Sequence, residues 1–121
     1  APAIKSESST RYLDNPKNSN TQFMTSTFRT SEEARKDLAA GTHPRDQTVR
    51  AQAVSQTSNY NFHKLLSFFE EKTGRSGLVN TSFNLPGEPI VNSPQDAIRV
   101  LKKSGLKHLA LGHFFISKTS S

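Results

Sequence analysis

The chain has 121 residues, a mass of 13.4 kDa and no cysteine. It is long enough for one hydrophobic core and too short for two, and disulfides, thiolate metal sites and thiol nucleophiles are excluded. Sixteen Lys and Arg against ten Asp and Glu give a net charge of +6 and a pI near 9.9, a balance that favours an anionic partner such as nucleic acid, a phosphate ester or the acidic face of another domain.

No apolar run approaches the roughly 18 residues of a membrane span, and the opening APAIKSESST has neither a charged n-region nor an apolar h-region. A soluble, cytoplasmic protein with no membrane partner is expected. The start without Met suggests a fragment of something longer. Apolar residues are uneven, 13 in the first 50 positions against 26 in the remaining 71, so the core is expected mainly from the second part.

Residues 1–22, rich in Ser, Asn and Lys, read as loop or tail. QFMTSTFRT (22–30) sets Phe23, Met24 and Phe28 among β-branched threonines, a strand signal. SEEARKDLAAG (31–41) predicts a short helix, with Ser31 as N-cap, two acids in the first turn and Gly41 as the stop. A loop then leads to a strand near Arg50–Val54. In SNYNFHKLLSFFEEKTG, Phe62, Leu65, Leu66 and Phe69 fall at i, i+3, i+4 and i+7 before Gly74, which predicts an amphipathic helix packed on a sheet.

SGLVN reads as a short strand. NSPQDAIRVLKKSG carries Ser93 as N-cap, Pro94 at the first helical position and Asp96 completing a Ser-x-x-Asp box, with Ala97, Ile98 and Leu101 as the buried stripe. HLALGHFFIS (108–117) is apolar on both faces and reads as an inner strand. The fold class is therefore α/β, a single twisted mixed sheet with helices packed on it.

Candidate chemistry centres on LVNTSFNLPGEPIV (78–91), which places Asn80, Thr81, Ser82 and Asn84 at a strand end ahead of a Pro86-Gly87 pair suited to a type II turn. Two readings of these short polar side chains stand open. They can fold onto their own backbone as Asx and ST turns, or face an anion or a base edge beyond the strand ends. The histidines at 43, 63, 108 and 113 lack close metal-ligand spacing. After Asp96 there is no acid, while Arg99, Lys102, Lys103, Lys107 and Lys118 follow; the run suits an anionic ligand or a solvated helix face equally.

The longer stretch LVNTSFNLPGEPIVNSPQDAI strongly resembles the signature of the O-carbamoyltransferases of the nodulation and antibiotic-biosynthesis (NodU-like) type. Asp46-Gln47-Thr48-Val49-Arg50-Ala51-Gln52 resembles the family's D-G-T-A-R-P-Q, with His43 matching a histidine just upstream. LALGHFFISK resembles its closing strand, and Ala1-Pro2-Ala3-Ile4 the end of its R-P-F-A-P-A-I segment. The resemblance covers nearly the whole chain and implies the C-terminal, YrdC-like domain.

It further implies a domain that binds ATP and carbamoyl phosphate and forms carbamoyl adenylate. An N-terminal actin-like, metal-binding domain would pass the carbamoyl group to a hydroxyl acceptor. Mg2+ would accompany ATP, and no metal site is expected in this chain. Carried onto this sequence, Arg50 is the guanidinium for a phosphate, Thr48 belongs to the nucleotide-binding set, and Thr81, Ser82 and Asn84 hold the carbamoyl amide or the adenylate phosphate. Asn80 braces the loop and Glu88 supports it. Arg50, Ser82 and Asn84 form the catalytic set, acting by fixed donors rather than as nucleophiles.

The sequence departs from the family where Gln47 replaces the usual Gly, where one extra residue separates His43 from Thr48, and at Ser76-Gly77. The family's G-P-R-A-L-G and K-x-R-E-x-F-R-P-F segments, with several of its basic ligands, would lie before Ala1, so this chain is expected to hold half a site and to be inactive alone. A second reading, a basic YrdC-like module binding RNA or nucleotide without catalysis, rests on the +6 charge and would need the lysines after Arg99.

Overall fold

The structure, a computed structural model, describes residues 1–15 and 21–119, which divide into two compact units, Ala1–Asn80 and the segment from Thr81 onward. The first unit is organised around strand β1 (Pro2–Lys5), the middle strand of a three-stranded sheet. It pairs in parallel with β5 (Gln52–Val54), Ile4 opposite Ala53, and antiparallel with β6 (Gly77–Val79), Ile4 opposite Gly77. Pro2 is tolerated because it opens the strand, where its missing N–H breaks no ladder.

The expectation of a loop or tail over residues 1–22 is thus overturned for the described part of that span; residues 16–20 lie outside the described residues. Four residues are too few to show a period, and both partners of β1 are distant in sequence.

A tight turn then leads through helix α1 (Ser9–Tyr12) to β2 (Leu13–Asp14), which starts a second sheet. Its order is β2-β3-β4, with β3 at Phe28–Thr30 and β4 at Thr48–Val49. The register sets Leu13 opposite Thr30, Phe28 opposite Val49, and Arg29 between Asp14 and Thr48. The strand expected over 22–30 is confined to its last three residues.

Buried Ile4, Tyr12, Leu13, Phe28, Ala34, Leu38, Val49 and Ala51 form one core cluster; Ala3, Val54 and Leu66 form another, with Phe62 and Leu78 packed against it. Among the described residues the buried apolar side chains divide almost evenly, eight in the first 50 positions and seven beyond, so the second part does not dominate the core as composition led one to expect. Many later apolar side chains stay in water, among them Leu65, Phe68, Ile90, Phe114 and Phe115, each more than half exposed.

The helices follow their caps. Helix α2 (Glu32–Asp37) starts where the Ser31 hydroxyl accepts from the Ala34 N–H, and α3 (Tyr60–Thr73) where the Asn59 side chain accepts from the Phe62 N–H. Helix α3 ends at Gly74 in the left-handed region, φ 74°, whose N–H reaches the Glu70 carbonyl. Its buried face is narrower than the Phe62/Leu65/Leu66/Phe69 stripe: Leu66 and His63 are buried and Leu65 faces solvent.

A polar network joins these pieces. The buried Tyr12 hydroxyl donates to Asp37 Oδ2 (2.8 Å) and accepts the Ser76 N–H (3.0 Å), while the Ser76 and Ser8 hydroxyls lie 2.6 Å apart. Arg11 pairs with Glu33 and reaches Asp37 and Glu70, and Lys5 Nζ sits 2.6 Å from Glu70 Oε2. Burial raises the Tyr12 pKa and keeps its phenol neutral.

In the second unit, α4 (Pro94–Lys103) starts as its sequence predicts: the Ser93 hydroxyl accepts the Asp96 N–H and donates to Asp96 Oδ2. Ala97, Val100 and Leu101 are its buried residues, while Ile98 remains over a third exposed. The segment expected as one inner strand is instead a hairpin, β7 (His108–Leu111) and β8 (Phe114–Ser117), turning at Gly112 with φ 59° and His113. Glycine with positive φ at the first of two turn residues matches the twist that such hairpins need. The mixed α/β class stands, with the strands of the described residues shared among three small sheets rather than one. The three-residue strands are too short to extend a common ladder.

Two outcomes test this packing. A Cβ at Gly77 would lie 2.5 Å from Leu38 Cδ2 and 2.9 Å from Ile4 Cγ2, so Gly77→Ala is expected to cost about 1–3 kcal/mol by overpacking, measured by denaturant unfolding. The Lys5 hydrogen bond holds the Glu70 carboxyl below the usual glutamate range. Its contribution is present above that range and lost as pH falls through the lowered folded value. Glu70→Gln should therefore be less stable than the parent at neutral pH and converge on it in acid.

Candidate functional site

The loop His43–Thr48 is closed on itself: the His43 N–H reaches the Thr48 carbonyl at 2.8 Å and the Gln47 N–H the His43 carbonyl at 3.0 Å. Inside it Asp46 Oδ1 accepts from both the Thr48 hydroxyl (2.7 Å) and the Thr48 N–H (3.1 Å), and His43 Nδ1 lies 3.2 Å away. These bonds, the Thr48 hydroxyl first, hold Asp46 below the usual aspartate range. Gln47, where the resembling family has glycine, takes φ 57°. Left-handed backbone explains the family's glycine at this position, and Gln47 accommodates it with its carbonyl accepting from the Thr30 hydroxyl at 2.6 Å.

Beyond the loop, Val49 and Ala51 are buried while Arg50 is exposed, so Arg50 leaves the chain on its open side. Its guanidinium has no partner among the described residues. Two residues on, Gln52 begins β5. Because β5 runs parallel to β1 and β6 antiparallel to it, the start of β5 and the end of β6 share one end of the sheet. Asn80 closes that end: its N–H donates to the Ala1 carbonyl (2.8 Å) and its side-chain amide donates to Gln52 Oε1 (3.4 Å). Thr48 and Arg50, chosen from sequence, thus lie on the segment that leads into Gln52, to which Asn80 is bonded. Gln52, the residue that joins them, was not among the candidates; its only signal was the last position of the D-x-T-x-R-x-Q pattern.

Thr81, Ser82 and Asn84 belong to the second unit. Thr81 and Ser82 are exposed, and their hydroxyls make no hydrogen bond among the described residues. Asn84 has local work: Nδ2 donates to the Leu85 carbonyl (3.0 Å) and the Glu88 carbonyl (3.0 Å). Those bonds brace a turn in which the Glu88 N–H reaches the Leu85 carbonyl and Gly87 takes φ 78°, as a type II Pro-Gly turn requires. The Glu88 carboxylate ties the turn to α4 through Arg99 Nη1 at 2.6 Å. Of the two readings of this stretch, the turn accounts for the amide hydrogens of Asn84. It leaves the hydroxyls of Thr81 and Ser82 unused.

Among the described residues no group of three or more His, Asp and Glu could hold a metal ion, and no helix is long and apolar enough to cross a membrane.

Comparison with known proteins assigns the class. The model of the carbamoyltransferase C-terminus family matches residues 1–118, across both units, and the chain belongs to that family. It is similar to an uncharacterized protein of Methanocaldococcus jannaschii, 37% identical over 118 residues covering 98% of this chain and 22% of that protein. The nodulation protein NolNO of Sinorhizobium fredii is 33% identical over 122 residues, 100% of this chain and 18% of the relative. The 3'-hydroxymethylcephem-O-carbamoyltransferase of Streptomyces clavuligerus is 34% identical over 67 residues, 55% of this chain and 13% of that enzyme. The chain spans about a fifth of the length of the first two.

The left-handed Gln47 gives a test of the loop. Gln47→Gly should relieve backbone strain and raise stability by up to about 1 kcal/mol, read as a shift in melting temperature.

Proposed function

We propose that this chain is the part of an O-carbamoyltransferase that binds carbamoyl phosphate and ATP: water cleaves carbamoyl phosphate to carbamate and phosphate, and a carbamate oxygen then attacks the α-phosphorus of ATP, forming carbamoyl adenylate as pyrophosphate leaves. A hydroxyl acceptor bound outside this chain then takes the carbamoyl group. The observation that carries the reading is the family match together with Arg50, an unpaired guanidinium beside the closed His43–Thr48 loop and the Asn80–Gln52 bond.

Arg50 supplies a planar fork that meets two phosphate oxygens at once, just beyond a loop closed by its own hydrogen bonds. In the second unit, taken by itself, the exposed Thr81 and Ser82 hydroxyls are available to donate to a ligand oxygen, and Asn84 acts through the turn it braces. A mixed anhydride needs its reactants held and their charge balanced more than it needs a protein nucleophile. Mg2+ belongs on the nucleotide's own phosphates in this reading. The cysteine-free sequence suits a reducing cytoplasm.

The test is pyrophosphate exchange into ATP by the full-length gene product, with and without carbamoyl phosphate. Exchange that depends on carbamoyl phosphate is expected; its absence overturns the reading. Arg50→Lys and Ser82→Ala should each lower that exchange by about tenfold or more with the melting temperature nearly unchanged. Loss of activity that tracks loss of folding would mean that these groups serve structure. The 121-residue chain by itself is expected to show no carbamoyl transfer.

A further inference from the structure

The chain has seven arginines, and their side chains fall into two groups. Arg11, Arg75 and Arg99 pair with carboxylates, and Arg35 bonds to Thr30. Arg29, Arg45 and Arg50 have no partner among the described residues, and all three lie on β3, on β4's incoming loop or just after β4. Arg29 stands directly opposite Thr48 in the antiparallel register. Residues so placed share a face of the sheet, with Cβ atoms about 5 Å apart, and the diagonal neighbour two positions along is about 7–8 Å away, within reach of a long side chain.

That face is the open one. Phe28, Thr30 and Val49 are buried, while Arg29 and Arg50 are exposed. Arg29 is opposite Thr48 and Arg50 follows it by two positions, the spacing that strand alternation puts on one face. The acids on this side do not neutralise them. Asp14, opposite Arg29, makes no ion pair with it, and Asp46 is turned onto the Thr48 hydroxyl and N–H and His43. An arginine left unpaired at the surface is ordinary; adjacent unpaired arginines repel each other and are relieved by one multivalent anion that forks onto both.

We propose that Arg29 is the second guanidinium of the Arg50 anion site, which takes a phosphate or phosphoanhydride group carrying at least two negative charges. The inference rests on the reading of Arg50 as the phosphate ligand. Nothing in the sequence pattern marks Arg29, because it comes from a different strand; the pairing of β3 with β4 delivers it. In this site Arg50 and Arg29 contact the ligand, and Thr48 holds the spacing between them through its bond to Asp46.

The probe is inorganic tripolyphosphate, titrated into 15N-labelled chain at low salt. The backbone amides of Arg29, Thr48 and Arg50 are expected to shift together and saturate. Arg29→Gln and Arg50→Gln should each weaken binding about three- to tenfold and the double variant more, with melting temperatures unchanged because both side chains are exposed. Lys103→Gln, which removes the same charge from α4, should leave the affinity as it was. If Arg50→Gln weakens binding and Arg29→Gln does not, the second guanidinium is wrong and the reading of Arg50 survives. Binding indifferent to both, equally sensitive to Lys103→Gln, absent altogether, or seen only with a single-stranded oligonucleotide overturns the site.

Discussion

The buried hydroxyl of Tyr12 is the constraint around which the first unit closes. A phenol with no exposed surface must find partners for its O–H, and it finds Asp37 on α2 and the Ser76 N–H ahead of β6. Those two contacts join segments 25 and 64 residues away in sequence. Ser8 and Ser76 add a buried hydroxyl pair, and Arg11, one residue before, spreads over Glu33, Asp37 and Glu70. Losing one partner from such a network strands the other without water, which costs about 1–3 kcal/mol for each group left behind. The arrangement specifies where β1 and β6 sit, and so fixes Asn80 at the end of the sheet next to Gln52.

That constraint also explains what the sequence could not announce. The positions of α2, α3 and α4 were legible from local signals, while α1 lay in the span read as loop: Ser31 and Ser93 each accept an N–H three residues on, as Asn59 also does without having been singled out, and Gly74 and Gly87 occupy left-handed conformations. Strand β1 was not legible, since PAIK has no period and its reason for being a strand is two partners some 50 and 75 residues away. The core was misplaced for a related reason. Composition counts apolar residues without knowing which faces remain uncovered, and Phe114 and Phe115 keep most of their surface in water.

The candidate site divides along the same line. Motif matching singled out Arg50 in one contiguous pattern and Asn80 and Ser82 in another. It could not tell that the Asn84 amide is spent on two carbonyls of its own turn, nor that Gln52 receives the Asn80 amide. Those are tertiary or turn-level facts, fixed by which carbonyls point inward. The glycine-to-glutamine departure at position 47 could be noticed from sequence, but its meaning needs the backbone angle. With φ at 57°, Gln47 takes the left-handed conformation that glycine adopts most readily.

The division of labour among charges carries the last step. Wherever this chain needs a guanidinium for its own stability, it gives that group a carboxylate or a carbonyl: Arg11 to three acids, Arg75 to Asp37, Arg99 to Glu88 and Asp96. A paired arginine is poorly suited to bind an anion, because its partner must first be displaced and resolvated. Of the arginines without a partner among the described residues, Arg45 lies in a loop closed by its own hydrogen bonds, Arg50 just after it, and Arg29 on β3. Rigid backbone under free cations lowers the ordering cost of binding, since only side-chain rotamers remain to be fixed.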